Sequence, residues 1–291
     1  MRNKLKGLRE ALFAETLLVV LPPAIIGFLS AGYFSIFDIF LLLIIVAFWD
    51  LGINVINHYS DWHLDEVNEK RSHMHKYILK EELLLLYVIF LIGSFLIAYL
   101  LLKPSLYFYV VLLIEVLFGI SYSMYFKAKS RFVINYIWIA LMYGLFSFLL
   151  GLFASKFSLT NLIDYLPLVF FITILYFSIC IVKDYSDMKG DAAENRKSIP
   201  LVLGIKKALQ LQYGLITLAY IILLLFVVLG YLNILLVGTF FFYVTIIFIL
   251  RMISRTKDTE YMRMISLYTK VNTLALDILI VIILLFNLRI I

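Results

Sequence analysis

Asn57, Asp61 and Asp65 stand four residues apart in the run Asn57-His58-Tyr59-Ser60-Asp61-Trp62-His63-Leu64-Asp65. A second run, Asp184-Tyr185-Ser186-Asp187-Met188-Lys189-Gly190-Asp191, carries three more acids. Both runs close long apolar stretches, and carboxylates beside hydrocarbon are costly unless they serve an ion or a reaction. Residues four apart share one face of a helix, so two such carboxylates reach one hydrated ion. Mg²⁺ takes one or two protein carboxylates and fills its shell with water and substrate phosphates. Two facing clusters thus have the composition to hold Mg²⁺ and, through it, a diphosphate. An allylic diphosphate departs when cations neutralise it, and the remaining work is charge stabilisation and positioning. The bland alternative is two juxtamembrane charge runs that are simply solvated. Against it, Asp50 and Asn54 lie within apolar sequence. At 100° per residue, Asp50, Asn54, Asn57, Asp61 and Asp65 fall within about 80° of one another. Asp184, Asp187, Asp191 and Glu194 form a similar stripe.

The elements that must position these residues are membrane spans. The 291 residues are 64% hydrophobic and only 15% charged, where soluble chains are about half apolar and about a quarter charged. A span needs roughly 20 apolar residues. Nine stretches qualify, at about 14–33, 36–56, 83–102, 105–125, 132–153, 162–183, 208–230, 233–250 and 271–289. No cleavable leader is expected, because the charged first ten residues run into a full-length span. With the N-terminus in the cytoplasm and spans alternating, all of the 25 Lys and Arg but Lys103, Lys156 and Arg289 fall on the cytoplasmic side. The net charge of +6 then reflects topology and attraction to anionic membrane lipids, and no nucleic-acid partner is expected. The single cysteine, Cys180, excludes an internal disulfide and reads as packing. The clusters end the second and sixth spans, so both reach the same side. The expected fold is all-α: one polytopic domain over 1–291, nine transmembrane helices around a central cavity. Two pseudo-repeated four-helix units plus one helix make up the nine. The expected location is the cell membrane, with the site loops cytoplasmic.

The run from Asn54 to Asn68, and the run Lys183-Asp184-Tyr185-Ser186-Asp187-Met188-Lys189-Gly190-Asp191 continuing through Arg196-Lys197-Ser198-Ile199-Pro200 to Gly204, closely resemble the two signatures of the UbiA superfamily. These are nine-helix intramembrane prenyltransferases that move an isoprenyl chain from its diphosphate to an acceptor. The resemblance implies that Asn57, Asp61, Asp65, Asp187 and Asp191 bind a Mg²⁺–diphosphate, with Asp184 at an additional acidic position. It implies substrate contacts from Asn54, Lys183, Arg196 and Lys197 as well. Tyr122-Ser123, then Lys129 and Asn135, resembles a third family pattern whose Lys contacts diphosphate; Lys127 is an alternative for that role. The implied partners are a prenyl diphosphate, such as geranyl or geranylgeranyl diphosphate, and a small-molecule or lipid acceptor. The pattern departs from the family at His58, where Asp is common. It departs again at Arg71-Ser72-His73-Met74-His75-Lys76, which lacks the usual Pro and Gly. Arg71 still fits as a diphosphate contact, and His58 and His73 are expected to influence the acceptor.

The four histidines, His58, His63, His73 and His75, fall in one loop, but their spacing matches no metal motif and reads as wet interfacial polarity. Asp50, Glu115 and Asp277 lie mid-span, and of these Asp50 shares the motif's face. An aromatic quinone precursor is the commonest acceptor in the superfamily, with a prenylglycerol phosphate or a porphyrin as alternatives. A secondary transporter using the acids as cation sites is the competing class. Such sites are expected near the bilayer midplane on helices broken by Gly or Pro, whereas these clusters sit at span ends on helices expected to be free of Pro. A phospholipid head-group transferase would need a D-G…A-R…G…D signature, which is absent.

Overall fold

The structure, a computed structural model, describes residues 2–12, 14–63, 72–155, 162–193, 195–256 and 258–290; for 2, 14, 72, 189, 190 and 259 it describes the backbone alone. Among the described residues there is no strand. The helices are α1 (Arg2–Leu12), α2 (Leu17–Ser30), α3 (Ile36–Ser60), α4 (Ser72–Tyr77), α5 (Lys80–Leu102), α6 (Leu106–Ser123), α7 (Ile134–Ala154), α8 (Leu162–Cys180), α9 (Val182–Ala193), α10 (Ile199–Leu203), α11 (Ile205–Val228), α12 (Phe240–Ile253) and α13 (Thr259–Asn287). Eight spans are long and apolar enough to cross a membrane, α8 and α9 counting as one. The pair α1–α2, bent by 51°, adds a ninth when it is counted as one broken span.

Local sequence sets the helix ends. Ser35 caps α3, its hydroxyl accepting from the Asp38 amide at 3.2 Å, and Asp258 caps α13 by accepting from the Glu260 amide at 2.9 Å. α3 stops at Asp61, whose amide still donates to the Asn57 carbonyl at 3.0 Å. The expected continuous helix through the first motif thus ends at that carboxylate, and Asp65 lies outside the described residues. The second motif helix is not continuous either. α8 breaks at Ile181, where tight bonds from the Ile181 amide to the Ser178 carbonyl and from the Asp184 amide to the Ile181 carbonyl replace helical ones. Gln212 of α11 stabilises that joint: its Nε2 donates to the Ser178 carbonyl at 2.8 Å, and its Oε1 accepts from the Tyr185 hydroxyl at 3.2 Å. The expectation of Pro-free motif helices also fails, since Pro167 sits in α8. It lies in the second turn, at the end remote from the acids.

Helix α2 packs against α3, α7 and α13; α3 against α5 and α6; α7 against α6 and α8; α8 against α11; and α12 against α11 and α13. The ring therefore closes. The first helices of the two four-helix units, α2 and α7, meet face to face at two glycines. A Cβ on Gly27 would lie 2.0 Å from the Phe148 carbonyl oxygen, and one on Gly151 would lie 1.8 Å from that of Ala24. Small residues permit this backbone approach, the usual basis of helix association in membranes.

Outside the ring, α1 lies on α4. Glu10 Oε2 accepts from the His73 and Met74 amides, each at 3.0 Å, and Oε1 sits 2.9 Å from His73 Nδ1. A carboxylate is thereby placed where a helix start leaves unpaired amides. Met74 is fully buried, and the His75 ring packs edge-on against Trp62 at 4.4 Å.

Candidate active site

The end of α3 and the 3₁₀ turn Ala128–Ser130 after α6 meet through one ammonium group. Lys129 Nζ donates to Asp61 Oδ1 at 2.6 Å, to Asn57 Oδ1 at 2.9 Å and to Ser60 Oγ at 2.9 Å. Ser123 Oγ adds a bond to Asn57 Oδ1 at 3.0 Å. From the other half of the chain, Arg196 Nη2 reaches Asp61 Oδ2 at 3.4 Å. The two motifs therefore converge at one end of the helix ring.

α9 supplies the opposite wall. Asp184 is buried and accepts a short hydrogen bond from the Tyr136 hydroxyl, which itself accepts from the Ile199 amide at 2.8 Å. Tyr136 thus ties Asp184 to the start of α10. Asp191 is buried, and its carbonyl accepts from the Arg196 amide at 2.9 Å. Asp187 is exposed toward the opening. Tyr122 donates to Asn135 Oδ1 at 3.0 Å, joining the ends of α6 and α7.

A small polar cavity of about 30 Å³ lies between these walls, lined by Tyr122, Lys129, Asn135, Lys183, Asp184, Asp187, Asp191, Arg196 and Ser198. Three carboxylates there face three cations. A wider cavity of about 400 Å³ adjoins it, sharing Lys129 and Arg196 and reaching Asp61, Lys80 and Lys127. Among the described residues no three His, Cys, Asp or Glu side chains form a ready metal cage. Oxygen donors on two walls, without a complete protein cage, suit Mg²⁺, whose shell is finished by substrate phosphate and water.

The expected site residues divide clearly. Asp61, Asn57, Lys129, Tyr122, Asn135, Lys183, Asp184, Asp187, Asp191 and Arg196 come together around the two cavities or bond directly to residues that line them. Lys127 lines only the wider cavity, so Lys129 takes the central position for which the two were alternatives. Asp65 and Arg71, like Glu194, lie outside the described residues. Lys197 is exposed and lines neither cavity, and His58, 2% exposed, lines neither. Asn54 is drawn away from the cavities: its Nδ2 donates to Thr16 Oγ1 at 2.8 Å, and Thr16 in turn donates to Asp50. Glu115 is buried beside Asp50, with neither oxygen hydrogen-bonded among the described residues. Asp277 accepts from the Tyr176 hydroxyl at 2.9 Å. Tyr136 and Gln212 are the positioning residues that sequence reasoning missed. An aromatic or an amide within an apolar run carries no spacing signal by itself.

A closed ring of apolar helices, with acids and cations opposed across a polar pocket at one end, defines a membrane-embedded enzyme for an anionic lipid substrate. The chain belongs to the UbiA prenyltransferase family, whose sequence profile matches residues 20–271. It is a multi-pass membrane prenyltransferase, and the transporter reading falls away. No curated protein matches the chain. Among solved structures, one of a digeranylgeranylglyceryl phosphate synthase is 24% identical with a TM-score of 0.70, over 97% of this chain and 98% of that one. A UbiA homologue from Archaeoglobus fulgidus bound to GPP and Mg²⁺ is 21% identical with a TM-score of 0.72, over 93% and 99%. The apo structure of a UbiA homologue from Aeropyrum pernix K1 is 17% identical with a TM-score of 0.70, over 92% and 96%.

Proposed function

We propose that the chain transfers an isoprenyl group from an allylic prenyl diphosphate to an acceptor, at a site facing the cytoplasm, in a Mg²⁺-dependent reaction. The observation that carries this reading is the convergence of Asp61 and the Asp184–Asp191 wall on a pocket that also holds Lys129, Lys183 and Arg196. Carboxylates alone would repel a diphosphate, and cations alone would not recruit a metal. Their opposition suits a metal–diphosphate. The bound GPP and Mg²⁺ of the A. fulgidus homologue support the same donor class.

Asn57, Asp61, Asp187 and Asp191 would hold the metal, with Asp184 behind them and Asp65 following in sequence. Mg²⁺ would supply charge neutralisation to the departing diphosphate. Lys129 and Arg196 hold Asp61 in place and present the N–H groups that a diphosphate oxygen accepts from. Breaking the bond between the allylic carbon and oxygen sends its electron pair to the diphosphate. The acceptor's nucleophile then bonds to that carbon and loses its proton. The apolar ring excludes water from the cationic carbon until transfer is complete.

The acceptor classes are an aromatic quinone precursor, a prenylglycerol phosphate and a porphyrin. The similarity to a digeranylgeranylglyceryl phosphate synthase supports the second. Purified protein with radiolabelled geranylgeranyl diphosphate and, in turn, an acceptor of each of these three classes tests the reaction. Prenyl transfer is expected with Mg²⁺, to vanish in EDTA and to return with Mg²⁺, while Asp61→Ala and Asp187→Ala are each inactive yet folded. Full activity in chelator or in either variant refutes the reading.

A further inference from the structure

The wider cavity has a charge balance that donor binding does not use up. Four cationic side chains line it, Lys80, Lys127, Lys129 and Arg196, against one carboxylate among the described residues, Asp61. Asp61 is bonded to both Lys129 and Arg196. Those two cations also face the acids of the smaller cavity, where the diphosphate is placed. Lys80 and Lys127 line the wider cavity alone. Lys80 is held over the Tyr59 ring at 4.9 Å, an arrangement that fixes a cation without neutralising it.

The backbone that presents Lys127 is built for that placement. Tyr125 and Lys127 both have positive φ, 31° and 48°, a conformation that non-glycine residues adopt at a cost of about 1–3 kcal/mol. Phe126 between them is anchored from both sides. Its ring stacks on Trp138 at 5.3 Å and carries the Arg131 guanidinium at 3.8 Å, and Arg131 Nε donates to its carbonyl at 3.0 Å. With Phe126 pinned inward, both neighbours are turned to the cavity, and Tyr125 is 89% exposed there. The residues Tyr59 and Ser130 add hydroxyls to the same wall, while the Ser60 hydroxyl is committed to the Asn57 carbonyl at 2.8 Å. Two positive charges with no carboxylate partner among the described residues, beside hydroxyl groups, match a dianion.

We infer that the wider cavity seats a phosphomonoester on the acceptor, so that the second substrate is a phosphorylated lipid alcohol and not an uncharged or monoanionic aromatic. This rests on the proposed transfer reaction and names its second substrate. Lys80 and Lys127 take the phosphate, while the acceptor's hydroxyl lies toward Lys129 and the donor's reacting carbon. The same charge would also suit free phosphate or the diphosphate itself, and the experiment separates these sources.

The full-length protein is assayed with geranylgeranyl diphosphate and Mg²⁺ against three acceptors: geranylgeranylglycerol phosphate, the same alcohol without phosphate, and 4-hydroxybenzoate. Glycerol 1-phosphate serves as a soluble probe. The phosphorylated lipid is expected to be the preferred acceptor, with glycerol 1-phosphate competing against it and not against the donor. Lys80→Gln and Lys127→Gln each remove one charge-assisted hydrogen bond and should raise the KM for that acceptor ~10-fold. Donor KM should move less than about twofold by the same arithmetic, and Lys127→Arg should restore the acceptor KM. Preference for 4-hydroxybenzoate or the unphosphorylated alcohol overturns the inference and leaves prenyl transfer standing. Competition of glycerol 1-phosphate or inorganic phosphate with the donor, or a parallel rise in donor KM, assigns the cavity to the diphosphate and overturns it equally. Absence of Mg²⁺-dependent donor turnover with every acceptor removes both.

Discussion

Lys129→Gln is the perturbation whose consequences the structure fixes best. The Lys129 and Asp61 side chains are only 7% and 14% exposed, and their atoms approach to 2.6 Å. Removing one partner of a buried pair typically costs 3–5 kcal/mol, because the other charge is left stranded. Here Arg196 remains 3.4 Å from the second Asp61 oxygen, and neither partner is wholly dry. The expected cost is therefore lower, about 2–3 kcal/mol. If the same loss falls on the transition state, turnover drops ~30- to ~150-fold. Stability can be followed through the sole cysteine, Cys180, which lies at the end of α8 and becomes reactive to a fluorogenic maleimide on unfolding. The decisive comparison adds Asp61→Asn. Without the carboxylate there is no stranded charge, so the double variant should recover most of the lost thermal stability. Activity should not recover, because Asp61 is also proposed to hold the metal. Stability losses that simply add would refute the pairing as the main role of Lys129; recovery of activity would refute the role given to Asp61.

Gly151→Leu should prevent assembly or destabilise by at least the 1–3 kcal/mol typical of overpacking, because the first atom of any side chain meets the Ala24 carbonyl. Size-exclusion profiles and Cys180 labelling against Gly214→Leu, where no heavy atom lies within 4 Å of a built Cβ, check this. An equal response of the two sites would contradict the close crossing. In a Cys180→Ser background, cysteines replacing Lys76 and Lys197 should react with impermeant thiol reagents from the cytoplasmic side, and one replacing Lys103 only from the opposite side. Labelling of positions 76 and 197 from different sides would break the convergence of the two motifs.

The apolar runs and the acid spacing made the helical layout and most of the pocket legible before any coordinates. Asp61, Asp184, Asp187 and Asp191 announce themselves because carboxylates are improbable at the end of a membrane span unless they have work to do. Lys129 was readable only together with Tyr122 and Asn135, and its choice over Lys127 needed the turn at Ala128–Ser130. Other features depend on tertiary partners that periodicity cannot reveal. The break at Ile181 is held by Gln212, a residue of another helix. Asn54 shares the motif's helical face, yet Thr16, just before α2, draws it away from the cavities. His73 was expected only to influence the acceptor, and its ring and amide meet Glu10, a partner that spacing does not announce. The first span was expected over about 14–33, but its α-helix begins only at Leu17, after a 51° bend from α1.

The clasp between Glu10 and α4 carries a consequence for the count of membrane crossings. Partners joined by hydrogen bonds share one side of the bilayer, so the chain between α1 and α4 must traverse it an even number of times. Helix α3, with 25 apolar-rich residues, is long enough to be one traverse. Parity then obliges α2 to be the other, although its 14 residues rise only ~21 Å against a hydrocarbon core of about 30 Å. By that parity α2, short by the usual measure, is the second traverse between α1 and α4. The shortfall falls near Thr16, Asp50 and Asn54, where polar side chains satisfy one another instead of meeting lipid.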